Sequence, residues 1–181
     1  MTRRRLLLFA PLGVTVAAGA GFLAVLARMS AGTYDPHGVP SMIIDKPAPA
    51  FELPGAGGGT LTNADLATGR PVVVNFFASW CEPCVQEAPV LMQMKQHGIA
   101  IYGIAYKDKP NATAAYLRDH GDPYERVALD VPGMAAINWG LYGVPETYLI
   151  DGKGIVRWRF VGPLTSDVAG TQVPGLIRKY A

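Results

Sequence analysis

Cys81 and Cys84 are the only cysteines among 181 residues and stand three positions apart in the stretch ASWCEPCVQEAP, Ala78 to Pro89. A pair so spaced suits three chemistries: a structural cross-link, half of a metal site, or a dithiol that exchanges electrons with another disulfide. Positions i and i+3 of a helix lie about 5 to 6 Å apart, so the bond forms easily. It encloses almost no chain, and cross-link stabilisation grows with the loop enclosed, so a purely structural role gains little. A zinc site needs three or four ligands. The remaining candidates are His37, His97 and His120, in a tether and at two helix ends, with no second cysteine pair; these histidines read as solvated, and no metal is expected. Dithiol exchange is left, needing no cofactor beyond the two thiols.

The flanks favour that chemistry. PVVVNFF, Pro71 to Phe77, is an almost continuously apolar run rich in β-branched residues, which predicts a buried central strand. It leads directly into Cys81, where a helix begins. Unpaired N–H groups and the positive end of the helix dipole favour a thiolate there. Cys81 is therefore the attacking thiol, and Cys84, shielded in the first turn, resolves the mixed disulfide. Trp80 is expected as an exposed apolar platform beside the thiol. Glu82, between the cysteines, opposes the thiolate and raises its pKa.

The elements that position the pair follow from periodicity. Val85, Ala88, Leu91 and Met92 recur at helical spacing, Gly98 stops that helix, and a second buried strand starts at Ile99. Met92 and Met94 fit core filling by the same spacing. Strand, helix and strand make a right-handed βαβ unit. Asp108 is expected to cap the next helix, with Pro110 in its first turn and Gly121 past its end. YERVALD predicts a strand and Pro132 to Trp139 a short helix. ETYLID and GIVRWRFVG, joined around Asp151-Gly152-Lys153-Gly154, predict an antiparallel hairpin. A last helix from about Ser166 is interrupted at Pro174-Gly175.

The chain divides into three segments. Residues 1–28 read as a signal anchor: Leu6 to Ala27 is 22 residues without a charge, and at about 1.5 Å per residue that crosses a hydrocarbon core of about 30 Å. Arg3, Arg4 and Arg5 precede it and Arg28 follows, so the positive-inside bias leaves the rest of the chain across the membrane, where cysteines tend to oxidise. A cleaved secretory signal is the alternative, and TRRRLLL resembles a twin-arginine export signal. Residues 29–49, with DKPAPAFELPGAGGG running on from Asp45, read as a tether and lead-in loop. Residues 50–181 form one domain. From Met29 onward 12 Lys and Arg face 14 Asp and Glu, a net −2, which leaves no footprint for nucleic acid.

WCEPC after VVVNFFAS, Pro89 five positions past Cys84, and GVP at Gly143 to Pro145 together resemble the thioredoxin superfamily from about Ser41 to Ala181. The resemblance implies an α/β thioredoxin-like fold with a central mixed sheet flanked by helices. It also implies a cis Pro145 packed against the disulfide, with Pro83 inside the active-site motif. GLYGVPETYLIDGKGIVRWRFVGPL and GIAYKD are similar to the CcmG/DsbE branch, membrane-anchored periplasmic proteins of cytochrome c maturation, and the helix and strand between Lys109 and Asp130 resemble the insertion of that branch. The resemblance implies a single-pass protein of the bacterial inner membrane that reduces a disulfide in apocytochrome c or in a haem-ligation partner. Its electrons would come from a membrane thiol carrier of the DsbD or CcdA type. Plain thioredoxins carry a buried aspartate where this chain has Asn75, and an amide takes no proton. Glu87 and Glu146 resemble the branch's own active-site acids, and partly buried beside Cys84 they would exchange its proton. Tyr148 stands where the branch more often has Phe.

Other functions share parts of this pattern. A reductase of the TlpA or ResA kind, serving copper-site assembly, has the same fold and thiols. A non-catalytic copper-binding or scaffold module would use Cys81, Cys84 and Met92 or Met94. A disulfide donor of the DsbA kind differs in reduction potential. A peroxidase is disfavoured, because Cys81 lacks the Pro-x-x-x-Thr-x-x-Cys context.

Overall fold

The computed structural model describes the backbone of residues 3–30 and 41–181, and the side chains of 13–27 and 41–181. The chain falls into two compact units, Met1–Pro40 and Ser41–Ala181. In the first, helix α1 covers Arg3–Ser30. Among the described residues no helix is long and apolar enough to cross a membrane. The span expected at 6–27 lies partly outside the described side chains, and residues 31–40 of the expected tether lie outside the described residues.

The second unit is built around strand β3 (Val72–Phe77), in which every residue is buried. It is the middle of a five-stranded sheet of order β5-β4-β3-β6-β7, formed with β4 (Ile101–Tyr106), β5 (Arg126–Asp130), β6 (Glu146–Ile150) and β7 (Val156–Val161). β3, β4 and β5 run parallel; β6 is antiparallel to β3, and β7 to β6. A strand covered on both faces needs apolar side chains at odd and even positions alike, hence the unbroken run VVV and FF. Val73 and Phe77 face the cysteines and helix α2 (Glu82–Gln96) in one core cluster. Val72, Val74 and Phe76 face Trp139 and Tyr148 in the other. Helix α3 (Pro110–His120) joins β4 to β5, and the short α4 (Met134–Asn138) joins β5 to β6.

Four local features differ from the sequence expectation. Within the lead-in stretch, β1 (Glu52–Pro54) and β2 (Thr60–Thr62) pair as an antiparallel ribbon, with Leu53 opposite Leu61 and both buried. Each strand offers a single inward side chain, too few to show alternation. Residues 45–48 are fastened to β7: Asp45 N–H donates to Val156 O at 2.8 Å, Val156 N–H to Lys46 O at 2.9 Å, and Ala48 N–H to Gly154 O at 2.9 Å. The compact unit therefore starts before residue 50. The N-cap of α3 is Lys109, with no side-chain cap, and Asp108 is used elsewhere. The C-terminal helix runs through Pro174: a wide π turn over Val168–Gln172, closed by Val173 N–H to Val168 O, leads into α5 (Val173–Tyr180). Proline has no N–H to give, and the π turn takes up the change in hydrogen-bond register just before it.

Gly103 in β4 leaves no room for a side chain in the thiol-side core. A Cβ there would come within 2.9 Å of Tyr124 Cγ and 3.0 Å of Phe77 Cε1, two rings that stack at 4.8 Å and 19°. Gly103→Ala is expected to destabilise the domain by about 1–3 kcal/mol through overpacking. Urea unfolding should show a lower midpoint at unchanged slope; an unchanged midpoint would mean that the ring stack gives way without cost.

Candidate redox site

β3, the central strand, ends at Phe77, and after a turn of three residues α2 starts with Cys81 as its N-cap, in extended backbone conformation (φ −97°, ψ 104°). Cys81 Sγ accepts the Cys84 N–H at 3.2 Å, satisfying one of the free donors of the first turn. Pro83 sits in that turn, where a missing N–H costs nothing. Cys81 and Cys84 are joined as a disulfide with Cα atoms 5.3 Å apart. Cys81 keeps 4 % of its surface exposed and Cys84 none, so the accessible sulfur is that of Cys81. Its Sγ lies 3.5 Å from Val144 O, and the Val144–Pro145 peptide is cis. Trp80 is 60 % exposed; its indole N–H donates to Lys107 O at 3.3 Å, and its ring meets that of Tyr106 at 6.4 Å. Glu82 is exposed on the first turn, so solvent screens its effect on the sulfurs.

Beneath the disulfide lies a closed polar network. Glu87 is one helical turn past Cys84, on the same face of α2, and is buried. Its Oε1 accepts from Asn75 Nδ2 at 2.9 Å and its Oε2 from Leu164 N–H at 2.9 Å. Asn75 Nδ2 also donates to Thr147 Oγ1 at 3.1 Å, while its Oδ1 accepts the Tyr124 hydroxyl at 2.8 Å. The amide cannot take a proton, but its Nδ2 donates to the carboxyl group while its Oδ1 is itself held by Tyr124. Burial pushes the Glu87 carboxyl up to about 7, outweighing the two hydrogen bonds that favour its charged form. A group that gains and loses its proton near neutrality therefore sits next to the resolving cysteine. From α3, the Tyr116 hydroxyl donates to Cys84 O at 2.8 Å.

Glu146 is the residue that the structure places elsewhere. Side chains alternate along a strand, and β6 sets Thr147 opposite Asn75 and Glu146 opposite Phe76. Glu146 is thus on the face of the sheet away from Glu87 and the disulfide, despite following Pro145 directly. Its carboxylate accepts from Arg159 Nη2 at 2.7 Å, Arg159 Nε at 3.1 Å, the Tyr148 hydroxyl at 2.6 Å and Tyr142 N–H at 2.9 Å. The expectation of two acids beside Cys84 is corrected to one, Glu87.

Sequence reasoning passed over Tyr116, Tyr124 and Thr147, which carry no motif of their own. It also misplaced Asp108. That carboxylate is buried and accepts from Ser79 N–H at 2.7 Å, Ser79 Oγ at 2.8 Å, Lys109 N–H at 2.8 Å and Thr113 Oγ1 at 3.0 Å. It ties the end of β4 to the turn before Cys81. Its signal was the aspartate in GIAYKD at a strand's C-terminal end. Among the described residues no three of His, Cys, Asp and Glu stand together as metal ligands.

The AhpC/TSA family matches residues 44–159. The thiol:disulfide interchange protein HelX of Rhodobacter capsulatus is 39 % identical over 173 residues, covering 94 % of this chain and 95 % of its own. DsbE of Escherichia coli K12 is 38 % identical over 180 residues, covering 98 % and 97 %. The chain belongs to the DsbE/HelX proteins of the AhpC/TSA family. A solved DsbE structure from Chlorobium tepidum superposes with a TM-score of 0.63 at 30 % identity, over 75 % of this chain and 96 % of that one. Like its DsbE relatives, the protein is a thiol:disulfide oxidoreductase on a thioredoxin-like fold, and Cys81–Cys84 is the one thiol pair that its sequence offers.

The buried Glu87 makes stability depend on pH in a definite sense. Its carboxyl holds a proton up to about 7 when folded, against an ordinary value of 4.5. Between those values the folded state binds more protons than the unfolded, so the contribution of this group to stability is greatest below about 4.5 and falls as pH rises to about 7, by at most about 3 kcal/mol. Glu87→Gln is expected to flatten this part of the profile in urea titrations of the oxidised protein from pH 5 to 8. A variant with the wild-type slope would assign the slope to another group.

Proposed function

We propose that the protein works as a reductant in cytochrome c maturation, reducing a disulfide in apocytochrome c or a haem-ligation partner. The observation that carries this reading is the buried Glu87 carboxyl one turn from Cys84. When ionised it opposes a thiolate at the pair. Strong disulfide donors are strong because their reduced, thiolate form is stabilised; a pair with an acid beneath it loses that advantage and gives up its electrons more readily. The CcmG/DsbE resemblance of the GVPE segment and the HelX and DsbE relatives support the same direction.

The reaction balances within the two thiols and the partner disulfide. Cys81 thiolate attacks one partner sulfur, breaking the partner S–S bond and forming a mixed disulfide. That step frees the other partner sulfur as a thiolate; Cys84, giving its proton toward Glu87, then attacks Cys81 Sγ and releases the partner sulfur bonded to it. Two electrons and two protons pass to the partner, which leaves as a dithiol, and the Cys81–Cys84 bond remains. A membrane thiol carrier of the DsbD or CcdA type would reduce it again. The uncharged Leu6 to Ala27 stretch, preceded by three arginines, supports a single-pass anchor in the bacterial inner membrane with the redox domain in the periplasm. Such an anchor keeps the domain near donor and acceptor and raises their effective concentration.

Equilibration with glutathione tests the direction of transfer. A potential near or below about −270 mV is expected, and one near the −120 mV or so of a disulfide donor would overturn the reading. Trapping with Cys84→Ser in native membranes tests the partner. Apocytochrome c or a haem-ligation protein bonded to Cys81 is expected; copper-assembly proteins alone would move the protein to a TlpA-like pathway.

A further inference from the structure

We propose that Arg159 is a positioning residue for thiol exchange: acting through Glu146, it fixes the 140–145 segment that presents Val144 O to Cys81 Sγ, and so sets how a polypeptide disulfide approaches the thiol. This rests on the reading above that the pair exchanges with a polypeptide.

The Arg159 and Glu146 side chains are 8 % and 0 % exposed, and the guanidinium grips the carboxylate with both Nε and Nη2. The same Nη2 donates to Gly140 O at 3.2 Å. Glu146 Oε1 in turn accepts the Tyr142 N–H at 2.9 Å. One ion pair thereby holds the backbone of the segment at two points, 140 and 142, just before Val144. The Arg159 Cζ lies 4.8 Å from the centre of the Tyr142 ring, which is 54 % exposed on the outer side. At the other end of the segment Val144 O stands 3.5 Å from Cys81 Sγ.

A buried ion pair seldom stabilises a fold more than apolar residues of the same volume would. What this one supplies is geometry: a planar fork that meets two carboxylate oxygens and a carbonyl at once, which an ammonium on a flexible stem does not reproduce. The fork acts on the backbone beside the sulfur, not on the sulfurs. Its loss should therefore be felt by a partner that must lie along the 142–145 backbone and much less by a small disulfide that needs only the sulfur.

The test compares the full reduced chain with Arg159→Lys and Arg159→Gln in two stopped-flow reactions. One uses an oxidised Cys-x-x-Cys-His peptide and the other bis(2-hydroxyethyl) disulfide, and equilibration with glutathione is measured alongside. For Arg159→Lys the peptide reaction is expected to slow by about tenfold or more, while the small-disulfide rate and the glutathione equilibrium stay within about twofold. Arg159→Gln should slow the peptide reaction further; if it does not fold, the Lys variant, which keeps the charge, decides. A folded Arg159→Lys that reduces the peptide at the wild-type rate would overturn the proposal. So would an equal slowing of both reactions, which would place the effect on the sulfurs. A wild-type chain that leaves the peptide oxidised while reducing the small disulfide would instead overturn the polypeptide-reductase reading on which this one rests.

Discussion

The contact of Asn75 Nδ2 with Glu87 Oε1, at 2.9 Å, joins the central strand to the helix that carries the thiols, and the arrangement around the disulfide depends on it. An acid buried in α2 is tolerable only if its oxygens are paired, and the partners come from three separate parts of the chain: Asn75 on β3, the Leu164 backbone ahead of the C-terminal helix, and, through Asn75, Tyr124 beside β5. The superfamily resemblance places an aspartate at the position of Asn75. Here the strand carries an amide, and the proton-bearing group is Glu87 on the helix. An aspartate at 75 would set two carboxyl groups against one another, whereas the amide donates to one oxygen and still accepts from a tyrosine.

The sheet separates the two acids that look equivalent in the sequence. Glu87 faces the sulfurs with hydrogen bonds but no cation, and its proton affinity rises. Glu146, on the other face of the sheet, meets Arg159 and two further donors, the Tyr148 hydroxyl and the Tyr142 N–H, and serves the backbone of the 140–145 segment instead. Similar chemistry near one disulfide thus divides into a proton-exchanging group and a scaffold group by the two-residue period of β6 alone.

That division marks the limit of what could be read from residues. β3, α2 and the β6–β7 hairpin were legible because each writes a local rule: an unbroken apolar run, a cysteine and proline at a helix start, and an Asp-Gly-Lys-Gly turn in which Asp151 Oδ1 accepts from Lys153 and Ile155 N–H groups. The disulfide and cis Pro145 were legible through motif resemblance. Glu146 was misjudged because adjacency to Pro145 says nothing about which face a side chain takes. Asp108 resembled a helix cap in sequence; only the fold brings Ser79 to it from 29 residues away. Tyr116 and Tyr124 carry no local rule, since what distinguishes them is where their hydroxyls end.

Those two hydroxyls change the meaning of the segment between β4 and β5. Tyr116 lies in α3 and Tyr124 in the stretch that follows, and they reach Cys84 O and Asn75 Oδ1. This stretch is therefore a retaining wall for the reactive turn. Pared back to a bare strand-helix-strand plan, the chain would keep its Cys-x-x-Cys motif but strip a donor from a buried amide and another from the backbone of the resolving cysteine. Asn75 on the strand and the helix and turn beside it act as one hydrogen-bonded unit, and transplanting the motif alone would carry over the thiols without their surroundings.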